Sequence, residues 1–223
     1  MSLEYLELVI GSNPDASIIW LHGLGADGHD FEAMVPELNL PDSCNIRFIF
    51  PHAPFRPITL NNGYMMRGWY DIQSLEFGKQ EDRAGIEESE QQLLDLINNE
   101  ITRGIPAERI ILAGFSQGGA IILYTGLRYK KPLAGLLALS TYLPLADSLP
   151  EQSRPANKST PLFMAHGTDD NIVNYLYGVQ TRQALLQQGY TIEWHDYPMA
   201  HSVCMDEIAH IRDWIVNTLS IQN

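Results

Sequence analysis

Short runs of consecutive apolar residues, each bounded by turn-forming residues, recur along the chain. A run without polar alternation is typical of a strand that is buried on both faces. The sequence therefore predicts buried strands at residues 17–21, 46–50, 110–113, 136–139 and 162–165. Residues 5–10 and 190–195 also suit strands, and we expect both at an edge of the sheet because 190–195 alternates more between apolar and polar residues.

Helical patterns separate these runs. The clearest places Ile86, Leu93, Leu94, Ile97 and Ile101 on one face, with acidic residues opposite. Gly104 and Pro106 end that helix, and further helices are predicted over 118–129, 175–188 and 203–219. The alternation predicts an α/β fold with a mainly parallel, doubly wound sheet, helices on both faces and no separate large lid domain.

One long segment, residues 52–78, fits neither pattern. It is rich in Pro, Gly, Asn and aromatic residues and shows no sustained period. Loops of this length are uncommon in compact domains and often line a site. We therefore expect this segment to border the functional site.

Length, composition and charge narrow the possible classes. A chain of 223 residues with 45% hydrophobic residues suits one domain over 1–223. The net charge of −13 argues against nucleic acid as a partner, and no apolar stretch is long enough to span a membrane. Residues 1–10 do not resemble a signal peptide, so we expect a cytoplasmic protein without stable membrane insertion.

The cysteines and histidines do not follow a metal-binding pattern. Cys44 and Cys204 are too few for a disulfide framework, and the chain has no CxxC or HExxH spacing. We therefore expect neither a metal nor a cofactor. Cys204 near His201 is an alternative nucleophile, although a lone cysteine is more often a small buried apolar residue.

The motif of greatest chemical interest is Gly114-Phe115-Ser116-Gln117-Gly118-Gly119, which directly follows a predicted buried strand and opens a predicted helix. A serine on a sharp turn between strand and helix stands clear of the backbone, and flanking glycines permit that turn. A serine hydroxyl needs a base before it can attack an acyl carbon. Ser116 is therefore the candidate nucleophile, and a glycine-rich turn without catalysis is the alternative.

The partners of Ser116 are sought where later strands end, because loops converge at the carboxyl edge of a parallel sheet. His201 follows the last predicted strand and precedes the last helix, whereas His195 lies within a strand and His210 within a helix. The acid is expected after the strand 162–165, where Asp169 and Asp170 are adjacent. Spacing alone leaves the choice between these two open.

Acyl transfer also requires backbone donors for the negative charge on the carbonyl oxygen. The amide of Gln117 follows the nucleophile, and the amide of Leu24 lies in a loop after an early strand. These two are the candidate oxyanion-hole donors. A phosphate-binding loop is the alternative for the same segment, residues 22–28, but the segment has no Walker lysine and only part of the GxGxxG spacing.

A set of short segments within 17–219 forms one recognisable pattern: 21–25, 56–63, 69–71, 114–119, 143–144 and 166–170. This pattern resembles the phospholipase/carboxylesterase family, which has the α/β-hydrolase fold and includes bacterial carboxylesterases and acyl-protein thioesterases. The resemblance implies Asp170 rather than Asp169 as the acid. His166 ends its predicted strand and precedes both acids, and this position alone indicates a structural or supporting residue. The resemblance supports Ser116 and His201, and it implies a metal-free, cytoplasmic and often dimeric protein.

The resemblance implies a serine hydrolase that cleaves carboxylic esters, that is, a carboxylesterase acting on a small or acyl-chain ester. Acyl-protein thioesterase and lysophospholipase are the alternatives, and a catalytically silent binding protein is a remote one. The eukaryotic thioesterases as a rule have Cys-Trp where Thr141-Tyr142 stands here, and 67–71 leans toward the bacterial esterases. Candidates for an acyl pocket, or simply for anchors of the long segment, are Leu60, Met65, Met66, Trp69 and Tyr70.

Overall fold

The molecule is built on a seven-stranded sheet. The computed structural model describes residues 3–74 and 80–221. The strands of this sheet are β1 (Tyr5–Ile10), β2 (Ala16–Leu21), β3 (Ile46–Pro51), β6 (Ile110–Phe115), β7 (Gly135–Leu139), β8 (Leu162–Gly167) and β9 (Ile192–Tyr197). They lie in the order β1-β3-β2-β6-β7-β8-β9, so all seven predicted strands are present.

The sheet is parallel except at one edge. β1 pairs antiparallel with β3, and every other neighbouring pair is parallel. Every residue of β2 is buried, as its unbroken apolar sequence predicts. The two segments with weaker patterns, β1 and β9, form the two edges, so the predicted edge positions are confirmed.

Helices cover both faces of the sheet, as predicted. The side chains of Ile18 and Trp20 enter one apolar cluster, while those of Ile19 and Leu21 enter the cluster on the opposite face. This alternation explains why β2 needs an apolar residue at every position. The helices are α1 (His29–Glu32), α2 (Arg83–Thr102), α3 (Gln117–Arg128), α4 (Leu149–Gln152), α5 (Tyr175–Gln187) and α6 (Met205–Thr218).

The long segment 52–78 differs from its prediction as an irregular loop. It contains an antiparallel hairpin of β4 (Phe55–Ile58) and β5 (Tyr64–Arg67), and its last residues, 75–78, lie outside the described part of the chain. The hairpin stands apart from the main sheet. Most of its side chains are exposed or half-buried, so it needs no alternation of apolar and polar residues and left no period in the sequence.

Over the described ranges, the structure has no large separate lid domain above the sheet. None of the described helices has both the length and the apolar character needed to cross a bilayer.

The last helix carries an acidic side chain that lies in the core. Glu207, in the first turn of α6, is fully buried. Burial raises the pKa of its carboxyl to about 8, and the Cys204 amide offsets only part of that shift. The folded protein therefore keeps this carboxyl protonated at neutral pH, whereas the unfolded chain releases the proton above its ordinary value of 4.5.

Glu207→Gln is expected to flatten the dependence of stability on pH. Because the folded state binds the extra proton, the contribution of Glu207 is full below pH 4.5 and is lost as pH rises through about 8. Between these limits it lowers the free energy of unfolding by up to about 1.4 kcal/mol per pH unit. Urea unfolding at pH 5, 6, 7 and 8 should show the stability of the variant minus that of wild type rising across the series. A constant difference would contradict a neutral Glu207.

Candidate active site

Ser116 occupies a strained turn at the junction of β6 and α3. Its φ and ψ are 54° and −120°, an unusual conformation for a residue with a Cβ atom. Its N–H donates to the carbonyl oxygen of Leu139 at 2.9 Å, and its own carbonyl accepts from the Ala120 N–H at 3.1 Å. These bonds hold the turn against its strain, as a sharp nucleophile elbow requires.

The glycines around Ser116 permit close backbone contacts. A Cβ atom on Gly114 would lie 2.5 Å from the backbone of Gly118, and one on Gly118 would lie 2.4 Å from the carbonyl oxygen of Leu21. Neither contact is sterically possible. The glycines that mark the motif in the sequence are therefore required by the packing of α3 against β6 and β2.

His201 and Asp170 form a hydrogen-bonded pair beside this turn. His201 Nδ1 lies 2.7 Å from Asp170 Oδ2, and the His201 ring packs on Phe115, the neighbour of Ser116, with ring centroids 4.6 Å apart. Asp170 is only 4% exposed, whereas Asp169 is exposed and bonds Met199 through its backbone amide. The structure thus pairs His201 with the carboxylate of Asp170.

The Asp170 carboxylate is held in its ionised form. Burial alone would raise its pKa, but hydrogen bonds from His166 and His201 and from the Ile172 amide outweigh burial and hold the pKa well below the ordinary value. Its Oδ1 accepts from the amides of Ile172 and Val173, each at 2.9 Å. A fixed anion at this position orients the imidazole and stabilises its protonated form.

His166 supports the acid from the strand below. Its side chain is buried, with Nε2 2.8 Å from the Val173 carbonyl oxygen and 3.4 Å from Asp170 Oδ2. Gly178 of α5 lies directly against the ring, where a Cβ atom would be 2.4 Å from Nδ1. The ring is thus wedged between α5 and the loop that carries Asp170.

The loop after β2, which carries Leu24, passes beside Ser116. A Cβ atom on Gly23 would lie 3.4 Å from Ser116 Cβ, so the chain before Leu24 passes beside the serine. The Gly25 N–H donates to Arg67 O at 2.8 Å, which ties the loop to β5. A Cβ atom on Gly68 would touch both the side chain of Leu24, at 3.0 Å, and that of Gln117, at 3.5 Å.

The Gln117 side chain has a role that the sequence did not reveal. Its Oε1 accepts from the Trp69 N–H and its Nε2 donates to the Tyr70 carbonyl, both at 2.7 Å. The Trp69 indole in turn donates to the carbonyl oxygen of His22 at 2.9 Å. Gln117 therefore fastens 69–70 to α3, and Trp69 fastens the loop of Leu24 to both.

His22 completes this scaffold as a neutral side chain. Burial lowers its pKa to about 4, so it is uncharged at neutral pH. Its Nε2 accepts from the Ala53 N–H at 3.1 Å, and Nδ1 donates to the Gly23 carbonyl at 2.7 Å. A histidine two residues before Leu24 gives only a weak signal in the sequence, because its partners are backbone groups.

The five candidates for an acyl pocket fall into two groups. Trp69 and Tyr70 are 1% and 2% exposed and take part in the bonds above, and Tyr70 also bonds Tyr142 with 2.6 Å between hydroxyl oxygens. These two anchor the segment to the core. Leu60 and Met65 are exposed, while Met66 is half-buried with its sulfur 3.7 Å from where a Cβ atom of Gly25 would lie.

One group of side chains has the composition of a metal site. The ligand atoms of Asp27, His29 and His52 lie within 4.8 Å of one another. His29 Nδ1 already pairs with Asp27 Oδ1 at 2.9 Å, and His52 Nδ1 accepts from the Gly28 N–H at 3.1 Å. Each of these three side chains thus already has a hydrogen-bond partner within the chain.

Known proteins are similar to this chain over most of its length. The family model described as phospholipase/carboxylesterase matches residues 7–219. Acyl-protein thioesterase 1 of Neurospora crassa is 44% identical, covering 92% of this chain and 87% of that protein, and that of Yarrowia lipolytica is 38% identical, covering 90% of each. The crystal structure of Arabidopsis thaliana SOBER1 superposes with a TM-score of 0.86 at 35% identity, covering 92% of this chain and 99% of that one.

These relatives share the fold and the hydrolase family that the sequence motifs predicted. The similarity extends along nearly the full length of each relative, so it includes the segments that carry Ser116, Asp170 and His201. The fungal relatives bear the thioesterase name despite Thr141-Tyr142 in this chain, so the predicted lean toward the bacterial esterases finds less support than its alternative. The chain belongs to the phospholipase/carboxylesterase family of α/β-hydrolases.

Proposed function

We propose that this protein is a serine hydrolase that removes acyl groups from thioesters and esters, with S-acylated protein or peptide as its main substrate class. The observation that carries the proposal is the hydrogen-bonded pair of His201 and Asp170 beside the strained turn of Ser116. The preference for thioesters over plain carboxylic esters is supported by the names of the relatives.

In the first half of the reaction, Ser116 Oγ attacks the carbonyl carbon while its proton passes to Nε2 of His201. Because Asp170 accepts a hydrogen bond from Nδ1, the proton of the neutral imidazole stays on Nδ1. Nε2 therefore keeps a free lone pair. The amides of Leu24 and Gln117 donate to the oxygen that becomes negative. His201 then gives its proton to the departing thiol or alcohol, and the acyl group remains on Ser116.

In the second half, water takes the place of the leaving group. His201 removes a proton from the water, whose oxygen attacks the acyl carbon, and the same two amides stabilise the second oxyanion. Collapse of this intermediate breaks the bond to Ser116 Oγ, which recovers its proton from His201. The acid product leaves, and the enzyme returns to its starting state.

A matched pair of acyl peptides tests the substrate class. An S-palmitoyl-cysteine peptide is expected to be hydrolysed at least about tenfold faster, by kcat/KM, than the same peptide with O-palmitoyl-serine. The thiol has a pKa near 8.5 and needs less protonation to leave than an alcohol does. Mass spectrometry of the deacylated peptide gives both rates, and the rate of hydrolysis in buffer alone is subtracted from each.

A panel separates the alternatives. Esters and thioesters with acyl chains of two to sixteen carbons, together with a lysophospholipid, are assayed with the same preparation. Turnover of short esters without deacylation of the S-palmitoyl peptide would favour a carboxylesterase, and preferred cleavage of the lysophospholipid would favour a lysophospholipase. Failure of a fluorophosphonate to label the protein would favour a silent binding protein.

A further inference from the structure

Ser116 is held at both backbone polar groups by the last residue of β7 and the chain directly after it. Its N–H donates to Leu139 O at 2.9 Å, and its carbonyl accepts from Thr141 Oγ1 at 2.7 Å. The Ala120 N–H also reaches this carbonyl, at 3.1 Å, as the first bond of α3. The threonine hydroxyl is thus the contact that ties the Ser116 carbonyl to the sheet rather than to its own helix.

The peptide bond between Ser116 and Gln117 contains two polar groups that make different contacts. Its carbonyl oxygen belongs to Ser116, and its N–H is the Gln117 donor of the proposed oxyanion hole. In a planar trans peptide these groups point in opposite directions, so fixing one fixes the other. A hydroxyl that holds the Ser116 carbonyl therefore also sets the direction of the Gln117 N–H.

The surroundings of Thr141 keep its side chain in place. Thr141 is 1% exposed, and its only other acceptor among the described residues is the Tyr142 carbonyl, at a longer 3.5 Å. A Cβ atom on Gly119 would lie 2.7 to 2.9 Å from three atoms of the threonine side chain, so only glycine lets α3 pack this closely.

The backbone before Thr141 is itself in a rare conformation. Ser140 has a φ of 45°, and its N–H donates to Ala165 O of β8 at 2.8 Å. Ser140 thus lies between the two residues that bond the Ser116 backbone: Leu139 accepts from the Ser116 N–H, and Thr141 donates to the Ser116 carbonyl. Rare backbone conformations persist where the surrounding bonds enforce them and often mark functional sites.

We infer that Thr141 is a positioning residue for catalysis, which aims the Gln117 N–H at the developing oxyanion through the Ser116 carbonyl. The inference rests on the proposed function, because it assigns Thr141 to the oxyanion hole of that reaction. Thr141 does not touch the reacting atoms. Its hydroxyl acts through one peptide bond, and a residue of the same shape without a donor should leave the fold in place but misdirect that bond.

Thr141→Val is the central variant, since valine keeps the shape and removes the donor. Loss of a whole oxyanion donor lowers kcat by about 10² to 10³, and a misaligned donor should cost less, about tenfold, with KM changed by less than about twofold. Thr141→Ser restores the hydroxyl and should recover kcat to within about threefold of wild type. Rates are expressed per active site titrated with a fluorophosphonate.

Thr125→Val is the matched control. Thr125 is fully buried on α3, and its hydroxyl has no hydrogen-bond partner within the described ranges. The same exchange there should leave kcat per titrated site unchanged. If both valine variants lose activity equally, the effect is one of packing and the inference fails.

A trifluoromethyl ketone gives a readout that a purely structural role would not move. Addition of Ser116 Oγ to its carbonyl carbon, with the serine proton passing to His201, forms a tetrahedral adduct whose oxyanion occupies the proposed hole. Its inhibition constant should weaken in Thr141→Val by the same factor as kcat/KM, about tenfold. Binding of the planar carboxylic acid product should change by less than about twofold.

Several outcomes would overturn the inference. These are a kcat for Thr141→Val within twofold of wild type, an unchanged inhibition constant, or a serine variant no better than the valine variant. Should Thr141→Val fail to fold, Thr141→Ser and Thr141→Cys carry the test, and the weak thiol donor must give the lower kcat. If Ser116→Ala retains turnover, the proposed function itself fails, whereas a dead Ser116→Ala with a normal Thr141→Val refutes only the role of Thr141.

Discussion

Ser116→Ala is expected to lower kcat for p-nitrophenyl esters by about 10⁴ to 10⁶ and to abolish labelling by a fluorophosphonate. Covalent catalysis ends when the hydroxyl is removed, because neither His201 nor the oxyanion donors can form the acyl-enzyme. The fold should survive, since the hydrogen bonds that hold this turn belong to the backbone of Ser116 and alanine keeps its Cβ atom. Circular dichroism and the urea midpoint check that point.

Ser202→Ala provides a control from the same edge of the sheet. Ser202 directly follows His201 and is exposed, and it bonds Ala200 O through its backbone N–H at 2.9 Å. The loss of its hydroxyl should leave kcat within about twofold of wild type. Activity of Ser116→Ala within tenfold of wild type, in folded protein, would remove the nucleophile from the mechanism.

The sheet and its major helices were predictable because each apolar run has one physical meaning in a doubly wound fold. β2 is buried on both faces, so its sequence is apolar throughout. The predicted ends of strands and helices were less accurate. β8 continues through His166 to Gly167, and α6 begins at Met205 rather than at residue 203. Helix ends and strand ends depend on tertiary contacts that propensity does not contain.

The hairpin of β4 and β5 was missed for a different reason. A two-stranded ribbon with exposed side chains, such as Phe55 and Tyr64, buries no continuous face and leaves no period of two. Its turn did leave a signal. Asn62 and Gly63 both have positive φ, as the Asn-Gly pair often does in hairpins. The prediction of an irregular loop did not use this turn signal.

The geometry of the candidate site was predictable where a motif lies in consecutive residues. The sharp turn at Ser116 between β6 and α3 is an example. The bonds of the Gln117 side chain to 69–70 and of Thr141 to Ser116 join positions 25 to 48 residues apart, and each involves a backbone group that every residue possesses. Such contacts have no sequence signature, so only the folded structure reveals them.

Asp170→Asn and Asp169→Asn form the sharpest test of the site, because the two acids are adjacent and differ in burial and in contact with His201. The amide of Asn at position 170 can still accept from Ile172 and Val173 through its oxygen. Its NH₂ group would then face Nδ1 of His201, where two donors cannot pair. The imidazole would avoid two facing donors by carrying its proton on Nε2 instead of Nδ1. Nε2 could then no longer accept the proton of Ser116.

We therefore expect kcat of Asp170→Asn to fall by about 10³ to 10⁴, while Asp169→Asn stays within about twofold of wild type. Asp169 donates its backbone N–H to Met199 O, and within the described residues its exposed side chain makes no hydrogen bond or ion pair with His201. Fluorophosphonate labelling rates should follow the same ranking, since phosphonylation also needs the base. The reverse ranking would show that the carboxylate that His201 contacts at 2.7 Å is not the one that orients it during turnover.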